Sequence, residues 1–217
     1  MRSFGQAAED LVAAGRRFDA RGWVLGTSGN FSEVIAREPL RLAITRSGVH
    51  KGALTPDDIL EIDSAGTPVR AGAGRPSAET QLHLEIAAAR HAGAIMHTHS
   101  VWSTLLSDRG AVEGGIAIDG YEMLKGLDGI STHEHREWIP IVDNDQDIPR
   151  LSLVVRRILD EHPGCHGFLL RRHGLYTWGA TLPDAVRHVE ILEFLLESVG
   201  RAGSSSAIRE EAAPWRS

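Results

Sequence analysis

Two histidines one residue apart, His97 and His99, close the short apolar run Ala94-Ile95-Met96-His97-Thr98-His99-Ser100. If the run is a strand, both imidazoles fall on one face, because side chains alternate with a period of two. Two imidazoles on one face can share an ion. Zinc is the first candidate, since catalytic zinc takes three protein ligands and keeps a position open. The third ligand has to come from elsewhere in the chain. His173 is the best placed, because Leu169-Leu170-Arg171-Arg172-His173-Gly174 also reads as a strand ending in a histidine. A single His-x-His pair is more often a surface feature than a metal site. Its position after a buried strand, with a second strand-end histidine available, favours the metal here.

Three loops combine glycine with hydroxyl or amide side chains: Thr27-Ser28-Gly29-Asn30, Ser47-Gly48 with Lys51 close behind, and Pro76-Ser77 at a helix start. Exposed backbone N–H groups at such turns form an anion site, and Lys51 would add a point charge. Singly, each loop is ordinary turn chemistry. Together they suggest a phosphate pocket. Two glutamates offer acid and base. Glu79 follows the helix-starting Pro-Ser and equally suits the first turn of a helix. Glu122 lies between Tyr121 and Met123, an apolar setting expected to desolvate the carboxylate and raise its pKa. The other histidines, His83 and His188 among them, read as loop or helix-surface residues. His133-Glu134-His135 repeats the pattern without an apolar strand before it.

These residues need elements to hold them. Ser3 reads as the N-cap of an amphipathic helix that runs to Gly22, and Phe31 to Ala36 with Leu40 to Thr45 as a hairpin. A short strand is expected at Ile59 to Asp63, a helix from Pro76-Ser77-Ala78-Glu79 to about His91, then the histidine strand. After it come a helix from Val101, a strand near Ile116, a helical turn at Tyr121 to Lys125 and a strand at Ile139 to Val142. Asp147 opens a helix to about Glu161, Gly167 to Arg171 and Leu175 to Trp178 read as strands, and Thr181 opens a last helix ending near Gly200. Short strands and an early hairpin do not suit a purely parallel sheet. The expected fold is α/β, with a mixed, mostly antiparallel central sheet covered by helices.

The length of 217 residues fits one domain. It is expected to span residues 1–202, with the polar, serine-rich stretch 203–217 having the composition of a disordered tail. A net charge of −6 argues against a nucleic-acid or anionic-membrane binder, which would carry a basic stripe. One cysteine, Cys165, excludes an internal disulfide framework and fits a reducing, cytoplasmic setting. No secretory signal or membrane-span pattern is expected.

Gly26-Thr27-Ser28-Gly29-Asn30, Ser47-Gly48, Arg75-Pro76-Ser77-Ala78-Glu79, His97-Thr98-His99-Ser100 and Arg171-Arg172-His173-Gly174, in this order, resemble the class II aldolase family over about Leu11 to Val199. The resemblance implies a three-layer sandwich and one zinc per subunit on His97, His99 and His173. It also implies a sugar phosphate held at Gly29, Asn30, Ser47, Gly48 and Ser77, and a homotetramer with sites near subunit boundaries. Tyr121-Glu122-Met123-Leu124-Lys125-Gly126, Asp143 to Asp147 and His173 to Gly179 are similar to the members that remove water from a ketose phosphate, and imply Glu122 as the acid/base. In the family's sugar-phosphate aldolases the glutamate after Pro-Ser-Ser is catalytic. Here Glu79 follows Ser77-Ala78, a departure from that pattern, and with Glu122 as the acid/base Glu79 is expected to serve substrate binding or positioning. The alternatives are an aldolase or epimerase of another ketose phosphate and a non-catalytic module like the adducin head, which needs neither three ligands nor a base.

Overall fold

Helix α1 (Phe4–Ala20) begins where Ser3 caps it, the Ser3 hydroxyl accepting from the Gln6 backbone N–H. Its apolar positions Ala7, Ala8, Leu11, Val12 and Phe18 are all buried, as their helical spacing requires. The computed structural model describes residues 2–72 and 74–211, the side chains of 204–211 excepted. The remaining regular elements are β1 (Asn30–Arg37), β2 (Leu40–Thr45), β3 (Ile59–Asp63), α2 (Thr80–Arg90), β4 (Ala94–Thr98), α3 (Val101–Arg109) and β5 (Gly115–Ile118). They continue with β6 (Glu137–Val142), α4 (Ile148–Glu161), β7 (Gly167–Leu170), β8 (Gly174–Gly179) and α5 (Leu182–Glu211).

The strands form one eight-stranded sheet in the order β3-β2-β1-β4-β8-β7-β6-β5. Every neighbouring pair is antiparallel except β6 with β7, so the sheet is mixed and mostly antiparallel, as expected. Alternation along the central strands sorts side chains into two cores. Ala94 and Met96 of β4 pack with α1 and α5, whereas Ile95 packs with α2 and α4. Leu169 and Leu175 face α3 and α5, while Phe168, Leu170, Tyr176 and Trp178 face α2 and α4. The result is three layers. Each fully buried aliphatic or aromatic side chain contributes about 1.5–3 kcal/mol of transfer free energy, so both cores hold the sheet firmly.

Two expectations about helices need correction. Helix α2 starts at Thr80, not at Pro76, because Pro76 pairs with Arg46 in an isolated bridge and holds the chain extended there. Helix α5 does not stop near Gly200 but continues to Glu211, since Ala202, Ala207 and Ile208 to Glu211 include good helix formers and no proline intervenes before Pro214. Residues 212–217 of the expected tail lie outside the described residues. Among the described residues, no helix is long and apolar enough to cross a membrane.

Candidate metal centre and active site

Strand β4 sits between β1 and β8, with His97 directly opposite Asn30 on one side and Tyr176 on the other. The fully buried Tyr176 ring stacks on His97 at 3.9 Å between centroids and 11° between planes, which fixes the imidazole plane. His99 follows the end of the strand, and its backbone N–H donates to Trp23 O at 2.7 Å. His173 stands in the tight turn between β7 and β8. That turn needs Gly174, because a Cβ there would lie 2.0 Å from Thr98 O. Asp108 of α3 straps it down, accepting from Arg171 Nε and Arg172 Nη2, each at 2.9 Å.

The three histidines converge as the sequence suggested. His97 Nε2 lies 2.8 Å from His99 Nε2 and 3.3 Å from His173 Nε2, and the latter two are 3.1 Å apart. Nitrogens at zinc-bonding distance around a tetrahedral ion sit about 3.3 Å apart, close to what is found. The opposite ring nitrogen of His97 donates to Leu175 O at 2.9 Å, so its Nε2 carries a lone pair directed at the other two imidazoles. His173 Nδ1 lies 3.4 Å from Asn144 Oδ1. Burial and the neighbouring imidazoles hold His97 well below the usual histidine range and His99 at about 3, so both are neutral, as ligands must be. Three imidazole nitrogens brought this close, with the His97 lone pair among them, suit a shared cation. This is the one metal-type cluster among the described residues.

A cleft of about 280 Å³ opens beside the cluster, lined by Thr27, Ser28, Gly29, Asn30, Arg46, Ser47, Gly48, Lys51, Ser77, Ala78, Glu79, His99, Asn144, Asp145, Gln146, Ile148 and His173. All three loops expected to bind phosphate reach it. Gly29 has φ +73°, and a Cβ there would meet His97 O at 2.7 Å, so this loop can approach β4 only as glycine. The Ser28 hydroxyl is buried and has no partner, a donor left for an oxyanion.

Several expected roles change. Lys51 lines the cleft, but two of its donors are committed: its buried Nζ donates to Thr27 O at 2.9 Å and Val49 O at 2.8 Å, tying the first two of these loops together, and burial lowers it to about 8. The Asn30 side chain turns away from a phosphate, with Nδ2 donating to Glu79 Oε2 at 2.7 Å and Oδ1 facing His83 Nε2. Ser77 precedes the helix instead of starting it, and its hydroxyl accepts from the Glu79 backbone N–H. Glu79 lies beside the cluster, with Oε2 3.5 Å from His97 Nε2 and Oε1 3.5 Å from His173 Nε2.

Glu122 is the largest departure. Its side chain is 72% exposed, it is absent from the cleft lining, and it pairs with Lys125 and, at 3.8 Å, with His133. Its carboxyl is held below the usual range by Lys125, not raised, because Tyr121 and Met123 flank it in sequence without covering it. His83 and His188 are buried, not on helix surfaces, and His135 and His166 both contact the buried Glu137 carboxylate. Sequence reasoning missed Arg46, Asn144 and Gln146 as cleft residues. The Asp143 to Asp147 segment singled out by resemblance was the available signal.

The family model described as Class II Aldolase and Adducin N-terminal domain matches residues 9–199. The chain belongs to the class II aldolase family. A methylthioribulose-1-phosphate dehydratase of Methylococcus capsulatus is 48% identical over 195 residues, covering 89% of this chain and 93% of the relative. A dehydratase of the same name from Pseudomonas aeruginosa is 46% identical over 194 residues, covering 88% and 92%. Among solved structures, L-fuculose-1-phosphate aldolase from Thermus thermophilus aligns with a TM-score of 0.75 at 22% identity, covering 94% of this chain and 99% of that one. A sugar-phosphate aldolase from Thermotoga maritima gives a TM-score of 0.68 at 18% identity, covering 92% and 95%. These two establish the shared fold. In this member of the family, the histidine cluster fits the family's typical metal dependence.

Proposed function

We propose that the protein is a cytoplasmic, zinc-dependent hydro-lyase that converts 5-methylthioribulose 1-phosphate to 2,3-diketo-5-methylthiopentyl 1-phosphate in methionine salvage. The observation that carries this reading is the convergence of His97, His99 and His173 beside a cleft walled by glycine and hydroxyl loops. Dehydration is favoured over aldol cleavage by 48% identity over 89% of the chain to a relative named for dehydration, against 22% to an aldolase structure.

The substrate carries a carbonyl at C2 and hydroxyls at C3 and C4. His97, His99 and His173 would hold the zinc, which when bound would supply Lewis acidity for negative charge developing on the substrate oxygens and so acidify the C3 proton. Glu122 takes that proton and returns it to the C4 hydroxyl as it departs, because hydroxide leaves readily only when protonated. The resulting enol tautomerises to the diketone. Ser28, Gly29, Ser47, Gly48 and Ser77 bind the phosphate with their hydroxyls and backbone N–H groups, Asn30 through its backbone, and Lys51 keeps two of these loops together. Glu122 reaches the cleft of a neighbouring subunit in a homotetramer, which is supported by its exposure and by its absence from the cleft of its own chain. Residues 1–202 form the catalytic unit, and 203–217 are an appendage.

A second reading makes Glu79 the acid/base within one chain, favoured by its 3.5 Å approach to His97 and His173. Metal analysis of the purified protein with product analysis on 5-methylthioribulose 1-phosphate tests both the activity and the class. Dehydration keeps the carbon skeleton as a diketone phosphate. Release of dihydroxyacetone phosphate and an aldehyde as the main products overturns the dehydratase reading.

A further inference from the structure

We propose that Ser32, His83 and Asn30 form a buried relay of fixed hydrogen-bond polarity that sets the orientation of Glu79 at the metal centre, which makes His83 a positioning residue. The inference rests on the reading of the histidine cluster as a metal centre.

The contacts run in one line. Ser32 Oγ lies 2.7 Å from His83 Nδ1, His83 Nε2 contacts Asn30 Oδ1, and Asn30 Nδ2 donates to Glu79 Oε2 at 2.7 Å. Each bond dictates the next. A carboxylate can only accept, so the amide must present its NH₂ to Glu79 and its oxygen to His83. His83 therefore carries its proton on Nε2, which leaves Nδ1 as an acceptor, and the Ser32 hydroxyl is the donor placed to meet it. Burial keeps His83 neutral by lowering it to about 4, consistent with a single proton on the ring.

An asparagine amide has two nearly isosteric orientations, and the flipped one would turn an oxygen toward the Glu79 carboxylate. The flipped amide would also set its NH₂ against His83 Nε2–H, donor to donor, so the unflipped amide and this tautomer hold each other in place. Sequence geometry supplies the pieces: Asn30 and Ser32 share one face of β1, and His83 lies one helical turn beyond Glu79 on α2. Ser32 and His83 are completely buried and line neither the cleft nor the histidine cluster. Two apolar side chains would fill this space without the desolvation that a serine and an imidazole suffer on burial. What the polar pair adds is the polarity delivered to Asn30 and, through it, to a carboxylate held 3.5 Å from both His97 Nε2 and His173 Nε2.

The test uses the full-length, metal-loaded protein. Nitrogen NMR of histidine-labelled enzyme should show His83 as the Nε2–H tautomer across neutral pH, and an Nδ1–H tautomer overturns the relay. Replacing zinc by cobalt(II) gives an absorption spectrum that reports donors and charges near the ion without any substrate. His83→Leu should shift that spectrum in the protein with Glu79 and leave it unchanged in the Glu79→Gln background, and equal shifts in both backgrounds overturn the proposal. Turnover should fall about ten-fold in His83→Leu with KM nearly constant. His83→Gln restores an N–H donor toward Asn30 and should recover most of that loss, and no recovery counts against the relay. If His83→Leu fails to fold, Ser32→Ala removes only the far partner, and because Asn30 Oδ1 still accepts from His83 Nε2–H the Nε2–H tautomer should persist in that variant. An Nδ1–H tautomer there overturns the fixed polarity. Should the protein fail to dehydrate 5-methylthioribulose 1-phosphate, the NMR and cobalt measurements still decide the relay.

Discussion

The Thr98 hydroxyl, which sits between His97 and His99, donates a 2.6 Å hydrogen bond to Oε1 of the fully buried Glu193 on α5. The last helix thereby grips the strand that carries His97 and leads into His99. Glu193 Oε2 has no partner, and burial raises the carboxyl to about 7 against the opposing pull of the Ser100 and Thr98 hydroxyls.

This raised value gives a pH-dependent stability. Below the unfolded value near 4.5, both states hold the proton and the associated stability is fully present. Between there and about 7 the folded protein keeps a proton that the unfolded chain releases, so stability declines as pH rises. The loss amounts to about 3 kcal/mol across that window. Glu193→Gln stays neutral throughout, so its Tm relative to the parent should become more favourable from pH 5 to about pH 7 and level off above that. A difference in Tm that is flat with pH would refute the buried, proton-holding carboxyl.

Replacing His97, His99 or His173 singly by Ala should remove most of the bound metal and the activity, while circular dichroism and the cooperative melt persist. The cluster lies at the ends of strands whose cores pack without it. Stoichiometric zinc and full activity in His173→Ala would show that the third ligand is misassigned.

Glu122→Gln should bind zinc and substrate and lose turnover by roughly 10²–10⁴, with Glu79→Gln losing less. Mixed oligomers of Glu122→Gln and His97→Ala subunits should regain activity that neither variant has alone, because an intact cleft then meets an intact Glu122 from a neighbour. Absence of complementation, with Glu79→Gln the more damaging change, would move the acid/base to Glu79.

Lys51→Met removes the two hydrogen bonds that join Thr27 O to Val49 O. Bonds from a charged donor contribute about 1.5–3 kcal/mol each, so the loops should loosen, with KM rising about ten-fold or more and kcat changing little. Inhibition by inorganic phosphate should weaken in parallel. An unchanged KM would mean that the loops hold their shape without this strut.

Deleting residues 203–217 should leave Tm and turnover nearly unchanged, read by a thermal melt and the product assay. A large loss of either would make the C-terminal end of α5 part of the working structure.

His97 and His99 were legible as a pair from sequence because strand alternation is a local rule. The pairing of Asn30 and Tyr176 across from His97 depends on register, yet the apolar runs already marked β4 and β8 as buried strands. The hairpin, the capped helices and the mixed sheet likewise follow from short-range pattern and turn chemistry. His83 looked like a helix-surface histidine because α2 has apolar residues on more than one side, and only its packing against β1 and β8 shows which side is inward. Asn30 and Lys51 carried the right residue types for phosphate, but Glu79 and Thr27, which engage them, lie 49 and 24 residues away. Glu122 shows the same limit in reverse: apolar neighbours in sequence do not bury a side chain unless the fold lays something over it. Residue type and local period thus determined which groups could do chemistry, while desolvation and partner choice, which arise only when distant elements meet, decided what each group is able to do.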